Sequence, residues 1–126
     1  MQTSRQKGFA KEQEAAKALQ KAGYSIVGAN FYTKYGEIDI IANHENTIVF
    51  VEVKYRDSAL CGLPQEAVTF SKQNKIIKTA MEYIKLNNAY DKNYRFDVVA
   101  ISKGKDGDKI EIIKNAFEMP EGKYYI

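Results

Sequence analysis

Cysteine, histidine and proline are scarce in this chain, which has one cysteine, one histidine and two prolines among its 126 residues. The single Cys61 excludes an intrachain disulfide and, with a single histidine, cannot complete a zinc site. Long apolar runs are also missing, so no segment is predicted to span a membrane, and the polar N-terminus is not expected to be a signal peptide. We therefore expect a cytoplasmic protein, because a reducing compartment suits a chain without disulfides.

The chain does contain enough apolar residues to fold. Hydrophobic residues make up 44% of it, which predicts one globular domain over residues 1–126. The formal net charge of +3 permits binding to nucleic acid without requiring it.

Hydrophobic periodicity predicts the element order α-β-β-β-α-β-β and hence an α/β protein. The first helix, with Thr3 and Gln6 as a capping pair, is predicted to end near Ala22, and the second is predicted to run from a Ser71 cap to about Asn87. The strand, helix and strand at the centre of this order predict a parallel crossover inside a mixed sheet that is flanked by helices. The predicted strands cover residues 24–32, 37–42, 47–55, 94–101 and 109–114.

The pattern Asp39-x12-Glu52-x-Lys54 places two carboxylates and a lysine on one predicted β-hairpin. Side chains alternate along a strand, so Glu52 and Lys54 share a face. Asp39 joins them if the hairpin loop has an even number of residues, at 44–45 or 44–47, whereas a three-residue loop turns it to the opposite face. Two acids and a lysine on one patch of sheet can hold a divalent cation and polarise a phosphate.

Both carboxylates interrupt apolar strands, where acidic residues are disfavoured. In one interpretation, the carboxylates keep an edge strand from pairing with other chains, or form a cross-strand pair with Lys54. Residues 48–53 are apolar apart from Glu52, which indicates a central strand and favours a metal-binding role. Mg²⁺ or Mn²⁺ would suit such a site, because both prefer carboxylate oxygens. Glu37 shares the strand face of Asp39 and can assist at the site or lie at its rim.

Glu12 lies on the predicted apolar face of the first helix with Phe9 and Leu19, whereas Glu14 lies on the solvent side. A glutamate aimed at the core is costly unless it is paired or binds a ligand. It can therefore pair with a basic neighbour such as Lys11, or provide a third carboxylate for a metal site.

Several short motifs surround these residues. They are Gly8-x3-Glu12-x2-Ala15-x3-Leu19-x3-Gly23-Tyr24, Gly36-Glu37-Ile38-Asp39, Val49-Phe-Val-Glu-Val-Lys54-Tyr-Arg56 and Arg95-Phe-Asp97. Together they resemble the YraN-like family of bacterial proteins, which is similar to the archaeal Holliday-junction resolvases of the PD-(D/E)xK nuclease superfamily. In this chain the motif lacks the proline that its name includes. The resemblance covers about residues 8–117. It implies a restriction-endonuclease-like three-layer fold, a Mg²⁺ or Mn²⁺ cofactor, and Asp39, Glu52 and Glu12 as metal ligands.

Two further residues are candidates for catalysis beside the carboxylates. Lys54 lies two residues beyond Glu52, about 6.6 Å along the strand, where it can stabilise charge on the scissile phosphate or form a structural salt bridge. Gln73 is predicted on the apolar face of the second helix and can orient water or phosphate. Ile77 stands where related Q-x3-Y elements have a tyrosine, so a core amide bonded to the main chain is an equal alternative.

Arg56, Lys72 and Lys75 are candidates for contacts with a nucleic-acid backbone, although a charged helix face is also typical of simple solvation. Phe31, Tyr32 and Tyr35 can stack on unpaired bases, although aromatic residues near strand ends more often pack. Two other polar residues are interpreted as structural: His44 is expected to be solvated in the hairpin turn, and Asp97 is expected to pair with a basic residue such as Arg95.

These features predict a magnesium-dependent phosphodiesterase that hydrolyses the DNA backbone, with branched or structured DNA among its possible substrates. One alternative is a catalytically inactive nucleic-acid-binding module that retains the nuclease fold. Another is an interaction protein whose acidic cluster is structural. No membrane partner is expected, and the sequence leaves the oligomeric state open, a homodimer included.

Overall fold

The computed structural model describes residues 4–56 and 68–119, which form two helices and five strands. Thr3 and Cys61 lie outside the described residues. Neither of the two helices is both long and apolar enough to cross a membrane. The predicted order α-β-β-β-α-β-β is confirmed. In chain order the elements are α1 (Ser4–Lys21), β1 (Ser25–Thr33), β2 (Gly36–His44), β3 (Thr47–Arg56), α2 (Phe70–Leu86), β4 (Asn93–Gly104) and β5 (Gly107–Phe117).

The five strands form one mixed sheet in the order β1-β2-β3-β4-β5. Neighbouring strands are antiparallel except β3 and β4, which are parallel and are connected through α2. The predicted crossover and mixed sheet are therefore confirmed. Since β3 pairs with β2 on one side and with β4 on the other, it is a central strand, as its apolar sequence predicted.

The two helices cover opposite faces of the sheet, which produces a three-layer α/β arrangement. Val49 and Val51 of β3 pack in the same core cluster as Leu19 of α1. Phe50, which points to the other face, packs with Ile84 of α2. Leu19 and Ile84 are completely buried, and burial of an aliphatic side chain of this size stabilises a fold by about 1.5–3 kcal/mol.

The β2–β3 hairpin closes with a two-residue turn. Glu45 and Asn46 both have positive φ, 52° and 60°, which is the conformation of a type I′ turn, and His44 pairs with Thr47 across it. The loop thus has an even number of residues, which is the condition for Asp39 and Glu52 to share a face. It lies one residue later than the predicted two-residue loop at 44–45.

The ends of the helices differ slightly from the predicted ones. Thr69, and not Ser71, caps α2: its hydroxyl oxygen accepts a hydrogen bond from the main-chain N–H of Lys72 at 3.2 Å. Both residues are suitable caps, so the sequence alone did not distinguish them. At the other end α2 ends at Leu86 with Asn87 as its C-cap, which agrees with the predicted end near Asn87. Helix α1 ends before Gly23, whose φ of +93° suits glycine.

Candidate metal centre

Asp39 and Glu52 lie where strands β2 and β3 separate. The last pair of the ladder toward this end is Ile40 with Val51, so Asp39 and Glu52 are the next residues on the two strands. Instead of main-chain pairing, the Asp39 carboxylate accepts a hydrogen bond from the N–H of Val53 at 2.8 Å. The hairpin therefore brings both predicted carboxylates to its open end, and the Val53 N–H fixes Asp39 from the neighbouring strand.

Glu52 is the most deeply buried of the candidate carboxylates, with 6% of its surface exposed. Its Oε2 atom has no hydrogen-bond partner among residues 4–56 and 68–119. Lys72 is its nearest basic partner in this part of the chain, with Nζ 4.0 Å from Oε1. Burial raises the pKa of Glu52 to about 7, the Asp39 carboxylate adds to this rise, and the charges of Lys72 and Lys54 oppose it.

The pKa of Asp39 is raised as well, to about 6. Burial is the largest cause, and the hydrogen bond from the Val53 N–H opposes it. The negative charges of Glu12 and Glu37 raise the pKa further, whereas Lys72 lowers it. Protonation of a carboxylate, a nearby lysine or a bound cation can relieve the repulsion among these like charges.

Glu12, Glu37 and Asp39 form a compact acidic group. One carboxylate oxygen from each lies within 4.8 Å of the others, and all three residues are half-buried. Helix α1 supplies Glu12 and strand β2 supplies the other two. Glu52 lies outside this compact group, so the predicted ligand set is divided: Asp39 is close to Glu12 and Glu37, and its charge also acts on Glu52.

Asn30 connects two of the carboxylates, a role that the sequence did not reveal. Its side-chain amide donates hydrogen bonds to Glu12 Oε1 at 2.6 Å and to Glu37 Oε1 at 2.9 Å. The hydrogen bond opposes the rise that burial produces in the pKa of Glu12. Asn30 has a positive φ of 52° within β1, a conformation that asparagine tolerates better than most residues. An asparagine that interrupts a strand was the available signal.

The two other candidates for catalysis, Lys54 and Gln73, differ in their contacts. Lys54 is half-buried on β3 and lowers the pKa of Glu52 electrostatically. Gln73 donates its amide hydrogen to the main-chain oxygen of Val68 at 3.1 Å, which is the core-amide alternative considered for it.

The predicted nucleic-acid contacts are also spread out. Arg56 is the last residue of β3. Lys72 lies at the acidic site itself, next to Glu52. Lys75 is exposed on α2 above Gly36, where an added Cβ would be 3.4 Å from the Cβ of Lys75. Glycine at this position allows the start of β2 to approach α2 closely.

A buried polar network lies at the opposite end of β2. Asp97 pairs with Arg95, as predicted, with Arg95 Nε 2.9 Å from Oδ1, and the Tyr24 hydroxyl donates to its Oδ2 at 2.7 Å. The prediction for His44 is wrong: it is 7% exposed, stacks on Tyr24 with ring centroids 4.0 Å apart, and has Nδ1 2.9 Å from Arg95. These partners lie just before β1 and on β4, which the sequence around a turn does not indicate.

The donor set of the acidic centre fits a hard divalent cation. Carboxylate oxygens are the preferred ligands of Mg²⁺ and Mn²⁺. Glu52 is buried and Asp39 is half-buried, and Glu52 Oε2 finds no hydrogen bond from the residues described. A cation would satisfy this oxygen and reduce the repulsion that raises both pKa values.

Comparison with known families matches residues 11–101 to the uncharacterised protein family UPF0102. A UPF0102 protein of Syntrophus aciditrophicus is 49% identical over 112 residues, which cover 89% of this chain and 88% of that protein. A UPF0102 protein of Sulfurihydrogenibium is 45% identical over 114 residues, covering 90% and 96%. A third, from Caldicellulosiruptor saccharolyticus, is 44% identical over 115 residues, covering 90% and 98%. The chain therefore belongs to the uncharacterised protein family UPF0102, the YraN-like family that its motifs resemble.

Proposed function

We propose that this protein is a phosphodiesterase that depends on Mg²⁺ or Mn²⁺ and hydrolyses the DNA backbone. The observation that carries the proposal is the Glu52 carboxylate, which is buried beside Asp39 with Oε2 lacking a hydrogen-bond partner among residues 4–56 and 68–119. A buried carboxylate oxygen without a hydrogen bond is costly, and carboxylates with raised pKa values are concentrated at functional sites.

Four carboxylates are available to hold the cation. Asp39 and Glu52 are the expected ligands, and Glu12 and Glu37 extend the site toward α1. When bound, a divalent cation supplies Lewis-acid chemistry, by activating water and neutralising charge on a phosphate. The chain's own residues position that chemistry, because the hydrogen bond from Val53 orients Asp39 and the amide of Asn30 orients Glu12 and Glu37.

Lys54 and Lys72 provide the positive charge of the proposed site. Both act electrostatically on Glu52, and Lys72 Nζ lies 4.0 Å from Glu52 Oε1. A phosphodiester gains negative charge on its non-bridging oxygens as it is attacked, so an ammonium group held at the site stabilises the transition state more than the ground state. We assign this role to Lys54, which follows Glu52 by two residues on the same strand, and a supporting role to Lys72.

Two further observations, the fold and the sequence motif, support a nuclease. The three-layer arrangement, with a mixed five-stranded sheet between two helices, agrees with a restriction-endonuclease-like fold. The pattern from Asp39 to Lys54 resembles the PD-(D/E)xK motif of that superfamily. A shared fold does not establish activity, so the acidic centre carries the proposal and the fold agrees with it.

The second candidate function is a nucleic-acid-binding module without turnover. Its support is that the chain balances part of the acidic charge internally, through the amide of Asn30 between Glu12 and Glu37 and through Lys72 beside Glu52. Such contacts would let the cluster persist without a cation.

Cleavage assays separate the two candidates. The parent protein, Asp39→Asn and the control Asp106→Asn are incubated with Mg²⁺ or Mn²⁺ and a panel of single-stranded, duplex, flapped and four-way-junction DNA. Asp106 is an exposed turn residue between β4 and β5, so its substitution leaves the centre unchanged. The proposal expects cleavage by the parent and by Asp106→Asn, and a loss of at least about a hundredfold in Asp39→Asn. DNA binding without cleavage of any substrate would favour the inactive module.

A further inference from the structure

A cleft between α1 and β1 adjoins the acidic centre. It has a volume of about 710 Å³, within the range of about 300–1,000 Å³ that is typical of pockets for small organic ligands. Two large aromatic side chains line it: Phe9 of α1, 57% exposed, and Tyr32 of β1, 72% exposed. The helical periodicity predicted Phe9 in the core with Leu19, and its exposure in this cleft is the largest departure from that prediction.

The cleft and the acidic centre share two residues. Glu12 and Glu37 line the cleft and also belong to the compact group with Asp39. Phe9 lies three residues before Glu12 on one face of α1, and Tyr32 pairs with Glu37 in the β1–β2 ladder. The two aromatic rings are therefore held beside the proposed site of phosphate chemistry by neighbouring positions on the same helix and the same sheet.

We propose that this cleft binds an unpaired nucleobase next to the scissile phosphate, so that the substrate is DNA that is single-stranded or locally unpaired at the cleavage site. This inference rests on the proposed function, which places a phosphate at the carboxylates. An exposed aromatic ring gains from stacking on a base, and any base offers a flat face to it. Bases inside a duplex are already stacked on each other, so only an unpaired base can enter the cleft without disrupting the helix.

The charges of the cleft add a condition to this binding. Glu12 and Glu37 repel a phosphate backbone, so the nucleotide is expected to bind more tightly when a divalent cation neutralises them. Stacking on one aromatic side chain is worth about 5- to 150-fold in affinity, which corresponds to about 1–3 kcal/mol. Loss of both rings should reduce binding to single strands by more than either single change.

Binding assays with oligonucleotides test the inference. The probe is a short oligothymidylate with one 2-aminopurine, whose fluorescence falls when the base stacks, and the comparison is the same strand annealed to a complement of equal length as a blunt-ended duplex. Both are titrated with protein in Ca²⁺, a cation that also takes carboxylate ligands, and a gel checks that the probe stays intact. The variants are Phe9→Ala, Tyr32→Ala, their double mutant, and Tyr32→Phe, which keeps the ring. Tyr90→Ala is the matched control, because Tyr90 is 53% exposed on the turn after α2.

We expect Phe9→Ala and Tyr32→Ala each to weaken single-strand binding about 5- to 150-fold and to reduce the quenching of 2-aminopurine. Tyr32→Phe and Tyr90→Ala should match the parent. Mn²⁺ affinity, measured by calorimetry, should be unchanged in all of them, because the substituted side chains are not ligands. Removing Ca²⁺ should weaken binding by the parent.

Three results would overturn the inference: single-strand affinity unchanged in the double mutant, an equal loss for the blunt-ended duplex and the single strand, or no oligonucleotide binding by the parent. The first two leave the proposed function intact if the parent still binds Mn²⁺ and cleaves DNA. Conversely, a parent that binds no Mn²⁺ but depends on Phe9 and Tyr32 for single-strand binding would support base binding while the phosphodiesterase proposal fails.

Discussion

The acidic centre should cost the folded protein stability, and Glu52→Gln should recover part of it. The pKa of Glu52 is raised from an ordinary value of 4.5 to about 7, mainly by burial. Because one pKa unit corresponds to about 1.4 kcal/mol, keeping Glu52 ionised at about pH 8 costs the folded state about 3 kcal/mol. Glutamine is neutral and close in size to the protonated carboxyl group, whose burial cost it shares, so we expect a net gain of up to about 3 kcal/mol for the variant at that pH.

The sign of the pH dependence follows from the direction of the pKa change. Between 4.5 and about 7 the folded state binds a proton at Glu52 that the unfolded state has released. The stability of the parent should therefore fall as the pH rises through this window, and the difference between parent and variant should shrink to less than about 1 kcal/mol near pH 5. Urea unfolding followed by circular dichroism at about pH 5, 6.5 and 8 measures this difference. The matched control is Glu111→Gln, an exposed glutamate of β5.

A cation should reverse the comparison. Mn²⁺ at about a hundredfold excess over its dissociation constant should stabilise the parent by about 2.7 kcal/mol at pH 8 and Glu52→Gln by much less. If the variant is no more stable than the parent at pH 8, or if its advantage is the same at pH 5, then Glu52 is not a buried carboxylate held at an energetic cost.

The remaining predictions concern individual side chains. Glu12→Gln should weaken Mn²⁺ binding by about tenfold or more in calorimetric titrations, whereas Glu14→Gln should not, because Glu14 is 41% exposed and pairs with Lys11; equal effects would remove Glu12 from the site. Lys54→Ala should leave Mn²⁺ affinity intact or higher, since a positive charge near the cation is removed, while DNA cleavage falls by about a hundredfold; cleavage at the parental rate would exclude a catalytic role. Asp97→Asn should lower the free energy of unfolding by about 3 kcal/mol or more, because the partly buried Arg95 loses its charged partner. The same variant should bind Mn²⁺ with the parental affinity. A parallel loss of Mn²⁺ affinity would show that the two ends of β2 are coupled.

Local patterns were sufficient for the fold and for the placement of Asp39 near Glu52. Strand alternation and the parity of the hairpin loop depend on residues close together in the chain, and these rules placed both carboxylates at one end of the β2–β3 hairpin. The apolar sequence of β3 likewise identified a central strand, since burial on both faces requires it.

Residues whose partners come from distant elements were predicted less well. Asn30 bonds to carboxylates of α1 and β2, and His44 is buried by Tyr24 and Arg95, so neither environment can be read from neighbouring residues. Phe9 shows the same limit: a helical wheel identifies the apolar face of α1 but not which of its residues lie beside a cleft and which lie over the core.

Calorimetric titration of Mn²⁺ into the parent and Asp39→Asn at about pH 8 tests the central claim most directly. Asp39 is the residue to change, because it belongs to the compact group with Glu12 and Glu37 and also acts on Glu52. We predict saturable binding to the parent, its loss in Asp39→Asn, and proton release on binding near pH 6.5, since ligands with raised pKa values must give up protons to the solvent. Identical binding by both proteins, or no binding by the parent, would contradict a metal centre at these carboxylates.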